Sequence, residues 1–273
     1  MLVQRLLTAM IGIPIILGLV AIGGWPFTLV AAGVAALATR EAVTALDLSA
    51  PRSAVADRLS MVAAFLLVVL AGLGQSVFIV GILVLVCFSA SLSLWPTIAT
   101  SWSVALAATL YGSLPLAILA LLRVDVPGPT SLQVAHVHLS PGAIWVYAAL
   151  TSVWAVDSAA YLVGRAIGRH PFWPRVSPKK TWEGTIAGII GGVLVWLAWS
   201  PATNQSLAVA VVVGLSLSGA AILGDLAESA IKRSAGLKDA STLLPGHGGL
   251  LDRLDSLGFA SVVVFVCRII VGG

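Results

Sequence analysis

Long apolar runs alternate with short polar segments along the whole chain, and the length of those runs sets the first expectation. A helix that crosses a bilayer needs about 20 mostly apolar residues, and this requirement predicts about nine such helices. The regular alternation of apolar and polar positions that is typical of barrel strands is missing. The pattern therefore predicts an all-α fold, a polytopic transmembrane helical bundle. The predicted spans are residues 3–23, 26–46, 59–74, 76–94, 101–122, 142–164, 184–200, 206–232 and 250–271.

The composition excludes a soluble protein. Of the 273 residues, 59% are hydrophobic and 10% are charged, and the mean hydropathy is +1.05. A soluble domain carries about a quarter charged residues, so this chain has too few to cover the surface of one. We expect residues 1–140 to provide helices for packing, dimer contacts and lipid contacts. Residues 141–273 would carry the chemistry, with loops 165–183 and 233–249.

Positive charges indicate how the helices are oriented, because Lys and Arg accumulate in cytoplasmic loops. With the N-terminus inside and all predicted spans counted, every Lys and Arg except Arg123 and Arg268 falls on the cytoplasmic side. Loops 165–183 and 233–249 then face the same compartment. We therefore expect a multi-pass protein of a bacterial-type inner cell membrane whose polar site lies on the cytoplasmic side.

Polar residues inside apolar runs are costly and mark candidate functional positions. Asp157 lies in the middle of the sixth predicted span, and it shares a helix face with Ser158 and Tyr161. The alternative is a structural hydrogen bond between Asp157 and a neighbouring helix. Arg40 and Glu41 belong to a quieter first half, where a helix end, snorkelling and the helix dipole account for them.

The eighth predicted span carries the densest polar stripe. Its members stand at i, i+3, i+4 and i+7, which places them on one face of a helix: Asp225, Glu228, Ser229 and Lys232. An ion pair within the helix between Glu228 and Lys232 is the structural alternative, but it does not account for Asp225. Two carboxylates, a hydroxyl and an ammonium on one stripe indicate the wall of a wet, buried site.

The segment before the last predicted span combines glycines with charged residues. Gly248 and Gly249 let backbone N–H groups approach a ligand closely, and the N-terminus of the following helix favours anions. Asp252 and Asp255, at i and i+3, project from one side of its first turn, where acidic groups also suit the helix dipole. Each feature is weak alone, because no GxxxxGK[ST] phosphate loop occurs.

Taken together, these segments suit phosphoryl chemistry. Carboxylates from two helices can hold magnesium, which prefers oxygen ligands and keeps water and phosphate oxygens around it. Loop cations can neutralise phosphates, and a glycine-rich backbone can help to position them. The candidate phosphate-binding cations are Lys179, Lys180, Lys232, Arg233 and Lys238.

Two segments of the second half carry long motifs. The first reads Ser177-Pro178-Lys179-Lys180-Thr181-Trp182-Glu183-Gly184. The second reads Ser229-Ala-Ile-Lys232-Arg233-x4-Lys238-Asp239-Ala-Ser241-x2-Leu244-Pro245-Gly-His247-Gly248-Gly249-Leu250-Leu-Asp252-Arg253-Leu254-Asp255. Both resemble the signature segments of the phosphatidate cytidylyltransferases, the CDP-diacylglycerol synthases, and residues 154–164 are similar to the Asp-bearing helix of that family. The resemblance covers the whole chain and is weakest over residues 1–140.

The resemblance implies the reaction CTP + phosphatidate → CDP-diacylglycerol + diphosphate, with Mg²⁺ as cofactor. It implies two metal ions, the second being magnesium or a monovalent cation, and a homodimer among membrane lipids with no nucleic-acid partner. By motif position, Asp225 and Asp252 would be the metal carboxylates, with Glu228 and Asp255 beside them. Lys232 would join Asp225, Asp252 and Asp255 in catalysis. The implied substrate-contacting residues are Asp157, Lys179, Lys180, Ser229, Arg233, Lys238, His247, Gly248, Gly249 and Arg253.

Other functions compete with this interpretation. A membrane transporter also carries intramembrane carboxylates, but it predicts paired broken helices in two repeated halves, and the sequence shows none. A CTP-dependent lipid (polyprenol) kinase would attack the γ-phosphorus of CTP, whereas the favoured mechanism is direct attack of the lipid phosphate on the α-phosphorus. A CDP-alcohol phosphotransferase is disfavoured because its Asp-Gly-x2-Ala-Arg run is absent. The favoured interpretation requires Asp225 and Asp252 to meet around a divalent ion.

Overall fold

The computed structural model describes residues 2–46, 54–74, 98–124, 132–134, 137–237, 240–241, 243 and 248–272. Those residues form eight α-helices and two antiparallel pairs of short strands. The helices are α1 (Leu2–Ile22), α2 (Gly24–Leu46), α3 (Ala54–Gly72), α4 (Ile98–Arg123), α5 (Pro141–Ile167), α6 (Trp182–Trp199), α7 (Leu207–Ser234) and α8 (Leu251–Gly272). The strands are β1 (Leu132–Val134), β2 (Val137–Leu139), β3 (Pro171–Trp173) and β4 (Ser177–Thr181).

The described helices confirm the predicted all-α, polytopic architecture. Eight of the predicted spans correspond to α1–α8, while the fourth, residues 76–94, lies outside the described residues. The number of spans, about nine by helix length, stays a prediction. Within the described part of the chain, six helices are long and apolar enough to cross a membrane: Gly24–Ala45, Val104–Arg123, Pro141–Ile167, Trp182–Trp199, Leu207–Ser234 and Leu251–Val271.

The chain divides into two compact units. Unit 1 comprises Met1–Val124 and Ser234–Leu254, and unit 2 comprises Asp125–Arg233 and Asp255–Gly273. The segment between α7 and α8 therefore belongs with the N-terminal helices. The functional roles expected for residues 1–140 and 141–273 stay predictions.

In unit 1, α2 packs against both α3 and α4, which also contact each other. Small side chains let helix backbones approach closely in a membrane, where the hydrophobic effect does not drive helices together. The buried face of α2 is built in this way, from side chains that are at most 1% exposed: Ala32, Ala35, Ala38 and Ala42.

The last residue of α4 caps the C-terminus of α1. Arg123 Nε donates to the Val20 carbonyl oxygen at 2.7 Å, and Arg123 Nη2 donates to that of Ala21 at 3.2 Å. Gly23 follows with a φ of +63°, and a Cβ atom there would collide with the Arg123 guanidinium. The carbonyl oxygens at the end of a helix need hydrogen-bond donors. Arg123 provides these donors for α1, and its side chain is removed from solvent.

In unit 2, α5 and α6 pack along a ridge of glycines on α6, at positions 184, 188 and 192. A Cβ atom added at Gly184 would lie 2.6 Å from the Ala160 carbonyl oxygen, and one at Gly188 would lie 3.0 Å from that of Val156. Small residues at spacings of four are typical of close helix pairs in membranes. On the other side of α6, an exposed apolar stripe with the same spacing suits contact with lipid: Ile186, Ile190 and Leu194.

Helix α7 contacts both α6 and α8. The Ser218 hydroxyl donates to the Gly214 carbonyl oxygen at 2.7 Å and lies 3.4 Å from the Ile189 carbonyl oxygen of α6. Towards α8, a Cβ atom at Gly224 would collide with the Asp255 carbonyl oxygen. The polar stripe of α7, which starts at the next residue, therefore lies beside the part of α8 that belongs to unit 2.

Candidate active site

Strand β4 of the β3–β4 hairpin contains the first five residues of the Ser177–Gly184 motif. Pro171 pairs with Thr181 across the hairpin, and Trp173 pairs with Ser177. Thr181 then caps α6, because its hydroxyl accepts a hydrogen bond from the Gly184 N–H at 3.3 Å. Such a cap satisfies one of the unpaired donors of the first helical turn. The two lysines of the motif consequently lie on the strand that ends at the N-terminus of α6.

Other residues of the motif close the hairpin. His170 Nδ1 lies 2.6 Å from Glu183 Oε1, and the His170 backbone N–H donates to Glu183 Oε2 at 3.3 Å. The rings of Phe172 and Trp182 meet edge to face with centroids 4.6 Å apart. Thr181, Glu183 and Gly184 of this motif stabilise the local structure. The two lysines of the motif are therefore its candidates for contact with a substrate.

An ion pair joins this motif to the polar stripe of α7. Lys180 Nζ lies 2.6 Å from Asp225 Oδ2, and the two side chains retain 23% and 32% of their exposure. One turn along α7, the Ser229 hydroxyl lies 3.5 Å from Asp225 Oδ1. An ion pair that is partly exposed contributes little net stability, so a ligand can compete for either partner.

Asp157 belongs to the same charged group. The Ser256 hydroxyl donates to Asp157 Oδ1 at 3.3 Å, and the Ser256 N–H donates to Asp255 Oδ1 at 2.7 Å. Asp255, Asp225 and Lys180 lie close enough to Asp157 to interact with it electrostatically. The structural hydrogen bond considered for Asp157 is therefore present, and the same carboxylate also interacts with two further aspartates and with Lys180. We call Asp157, Asp225 and Asp255 the aspartate group.

Further along α7, Glu228 and Lys232 form the ion pair that was the structural alternative. Lys232 Nζ lies 2.9 Å from Glu228 Oε2, and the side chains are 12% and 1% exposed, respectively. A buried carboxylate requires a cation close by, because its own desolvation is costly. Lys232 therefore stabilises Glu228, while its predicted phosphate contact and the predicted metal role of Glu228 stay predictions.

In unit 1, Asp252 organises the loop that precedes α8. Its Oδ2 accepts hydrogen bonds from the Gly249 N–H at 2.8 Å and from the Ala240 N–H at 3.0 Å. Asp252 is 7% exposed, and Gly248 has a φ of +80°, a conformation that side-chain-bearing residues rarely adopt. The Gly249 N–H donates to the Asp252 carboxylate, and the predicted contact of this glycine pair with a ligand stays a prediction.

Glu41 of α2, which was attributed to a helix end, contacts the same loop. Helix α2 continues to Leu46, so Glu41 does not lie at a helix end, and its side chain is only 7% exposed. Its Oε1 accepts from the Ser241 hydroxyl at 2.6 Å, and its Oε2 accepts from the Leu251 N–H at 2.8 Å. An acidic residue among apolar neighbours inside a predicted span was the signal that could have identified it.

The other predicted cations lie at the surface or outside the described residues. Lys179, Arg233 and Arg253 are exposed, which suits contact with phosphates. Lys238 and His247 lie outside the part of the chain that the structure describes. Their predicted contacts with substrate stay predictions.

The acidic residues are suited to magnesium by the chemistry of their donors, since magnesium binds through a few carboxylates and keeps water and phosphate oxygens. Among the described residues, no group of three or more His, Cys, Asp or Glu side chains is arranged to hold a metal ion by itself. Asp225 belongs to unit 2 and Asp252 to unit 1. Their meeting around one ion therefore stays a prediction.

Apolar spanning helices that carry aspartates paired with lysine and hydroxyl groups define a polytopic membrane protein with a charged site. Comparison with known proteins identifies the family. The family model described as "Cytidylyltransferase family" matches residues 3–271. The chain belongs to that family, and the resemblance seen in its two motifs is confirmed.

Individual relatives are similar to part of this chain. A phosphatidate cytidylyltransferase of Haemophilus influenzae is 39% identical over 140 residues, which are 48% of this chain and 49% of the relative. One of Staphylococcus aureus (strain COL) is 44% identical over 124 residues, 44% of this chain and 47% of the relative. The chloroplastic phosphatidate cytidylyltransferase 4 of Arabidopsis thaliana is 40% identical over 134 residues, 47% of this chain and 33% of the relative. The chain thus spans about half the length of the bacterial relatives it matches.

Proposed function

We propose that this protein is a phosphatidate cytidylyltransferase, which converts CTP and phosphatidate into CDP-diacylglycerol and diphosphate. The ion pair between Lys180 and Asp225 carries the proposal, because it joins the first motif to the polar stripe of α7 through one contact. The names of the relatives support the choice of substrates. Spanning helices around this contact suit a reaction in which one substrate is a lipid.

The proposed substrate contacts use the cations of both motifs. Phosphate oxygens compete with Asp225 for Lys180, while the exposed Lys179 and Arg233 neutralise further phosphate charge. The negative charge of the aspartate group repels anions, so phosphates bind only where a cation neutralises their charge. The substrates are therefore oriented by charge, with the triphosphate on the lysines and arginine and the diacylglycerol part among the apolar helices.

Asp225 and Asp252 are the residues that would hold magnesium, with Asp255 and Glu228 near them in the sequence. The chemistry that bound magnesium would supply is neutralisation of the negative charge on the phosphates and on the departing diphosphate. A second ion, magnesium or a monovalent cation, belongs to the same proposal. The oxygen-only donors of these side chains fit magnesium better than zinc or copper.

The reaction needs no nucleophilic side chain. An oxygen of the phosphatidate monoester, already anionic at neutral pH, attacks the α-phosphorus of CTP. A new phosphoanhydride bond forms while the bond between the α-phosphorus and its bridging oxygen breaks, and diphosphate leaves from the opposite side. The contribution of the protein is to position the two phosphates and to neutralise their charge.

The decisive measurement uses purified protein in detergent with phosphatidate and CTP labelled in the cytidine. Label in the lipid fraction, lost on addition of EDTA and restored by magnesium, is the expected result. CTP labelled at the γ-phosphorus distinguishes the CTP-dependent lipid kinase, because only a kinase would transfer that label to lipid. Lipid that carries neither label would contradict both activities.

Localisation to the inner membrane with a cytoplasmic site, and assembly as a homodimer, complete the proposal. The distribution of Lys and Arg along the sequence supports the orientation. An impermeant thiol reagent tests it with Arg175→Cys, since Arg175 is an exposed residue of the β3–β4 hairpin. Labelling in inverted vesicles and protection in intact cells is expected, and the reverse pattern would overturn the orientation.

A further inference from the structure

Glu41 joins two positions that are distant from it in sequence. One carboxylate oxygen accepts from the Ser241 hydroxyl at 2.6 Å, and the other accepts from the Leu251 backbone N–H at 2.8 Å. These partners flank the glycine-rich part of the second motif. The same carboxylate therefore holds both ends of that segment from a helix near the start of the chain.

Asp252 makes a parallel set of contacts between neighbouring positions. Its carboxylate accepts from the N–H groups of Ala240 and Gly249. Thus Glu41 connects residues 241 and 251, while Asp252 connects residues 240 and 249. Two carboxylates, each 7% exposed, close the same loop at adjacent points.

The contacts of Glu41 with this loop leave little space for another arrangement of the backbone. A Cβ atom at Gly249 would collide with Glu41 Oε2. The Leu251 N–H donates a hydrogen bond to the Glu41 carboxylate, and Leu251 directly precedes Asp252. Glu41 therefore restrains the backbone at the residue next to Asp252.

We infer that Glu41 is a positioning residue of the reaction site, which fixes the second motif so that Asp252 is presented in one orientation. Glu41 itself contacts neither substrate nor metal. The inference rests on the proposed function, in which Asp252 binds the metal that accompanies CTP. Residues that orient metal ligands typically change metal affinity or activity by about 10- to 100-fold when they are removed.

The first test measures the contacts without using activity. Hydrogen exchange followed by mass spectrometry is compared for the parent, Glu41→Leu and the control Arg40→Gln, an exposed residue on the same helix. In Glu41→Leu the amides of residues 240–251 should exchange faster, while a peptide from α6 keeps the parent rate. Exchange at parent rates in residues 240–251 would overturn the inference.

The second test measures kinetics in the same variants. Glu41→Leu should lower kcat/KM for CTP by about 10- to 100-fold and raise the magnesium concentration for half-maximal rate. Arg40→Gln should remain within about twofold of the parent. A fall in kcat with unchanged dependence on magnesium and CTP would indicate a smaller folded fraction, and would overturn the positioning role.

Glu41→Gln separates geometry from charge, and Ser241→Ala replaces Glu41→Leu if that variant does not fold. The amide oxygen of the glutamine can accept from the Leu251 N–H while its NH2 group donates to the Ser241 hydroxyl. The magnesium concentration for half-maximal rate should therefore return most of the way to that of the parent. Ser241→Ala removes one partner only and should give a smaller effect than Glu41→Leu. Glu41→Gln with the same defect as Glu41→Leu would overturn the inference. A parent protein that transfers no cytidylyl group would refute the proposed function, while the exchange experiment still decides the contacts of Glu41.

Discussion

The carboxylates of unit 1 and those of unit 2 are held by different partners. In unit 1, Glu41 and Asp252 are almost fully buried and accept three backbone N–H groups and one hydroxyl between them. In unit 2, Asp225 is partly exposed and contacts the mobile end of a lysine side chain and a hydroxyl. Backbone amides can leave a carboxylate only if the chain moves, whereas a lysine can leave by rotating its own bonds.

The difference separates two uses of acidic residues in one protein. A carboxylate bonded to amides fixes the local backbone and is costly to disturb, because the amides lose their partner together with it. A carboxylate paired with a half-exposed lysine can exchange that partner for a ligand. We therefore expect substitution of Asp225 to change the rate with little effect on stability, and substitution of Glu41 or Asp252 to change both.

Asp225→Asn should give the largest effect on rate. The amide cannot neutralise Lys180 or provide an anionic ligand, so kcat should fall by about 10²- to 10³-fold, comparable to the loss of a key electrostatic group in other enzymes. The thermal unfolding temperature in detergent should stay within a few degrees of the parent. Incorporation of cytidine label into lipid measures the rate, and near-parent turnover would contradict the assignment of Asp225.

Asp252→Asn should lower both rate and stability. The amide oxygen of asparagine can still accept from the N–H groups of Ala240 and Gly249, but both hydrogen bonds lose their charged acceptor, which weakens them by about 2 kcal/mol in total. Denaturant titration in detergent compares its free energy of unfolding with that of Asp225→Asn. Equal stability of the two variants would remove the distinction between the units.

Lys180→Met should reduce kcat/KM more than Lys179→Met. Lys180 contacts Asp225 at 2.6 Å, whereas Lys179 is exposed on the same strand. The loss of one charge-assisted contact of about 1.5 to 3 kcal/mol corresponds to about 10- to 100-fold for Lys180. For Lys179, a smaller loss is expected. Equal losses in the two variants would indicate that the pairing with Asp225 has no part in the reaction.

Gly184→Ala should give the smallest effect, and on stability alone. The added methyl would lie 2.6 Å from the Ala160 carbonyl oxygen, so α5 and α6 must separate at a cost of about 1 to 3 kcal/mol. Gly219→Ala is the matched control, because nothing lies within 4 Å of a Cβ atom there and alanine favours a helix. The free energy of unfolding of both variants measures the contrast, which similar values would refute.

Most of the fold follows from the length of the apolar runs. Helices α5, α6 and α7 lie where the hydropathy places them, because a mostly apolar run of this length has few other stable states in a bilayer. The short strands β3 and β4 were not predicted, since three to five residues between two spans carry too weak a pattern.

The candidate site was predicted within helices and missed between them. The stripe from Asp225 to Lys232 follows from helical periodicity, and its Glu228–Lys232 pair was anticipated. The contact of Lys180 with Asp225 and that of Glu41 with the loop join residues far apart in sequence. Periodicity holds no information on such pairs, so the sequence could propose chemical types for these residues but not their partners.

Arg123 has a consequence for how the chain is threaded into its membrane. It is one of the two basic residues that fall on the outer side in the proposed orientation, and it is 6% exposed with its guanidinium on the carbonyls of α1. A charge enclosed in this way is stabilised by the carbonyl oxygens at the end of α1 once the helices assemble, so a structural contact accounts for its place on the outer side. The place of Arg123 on the outer side therefore does not oppose the accumulation of Lys and Arg on the cytoplasmic side. Its removal would fray the end of α1 and would not invert the orientation of the protein in the membrane.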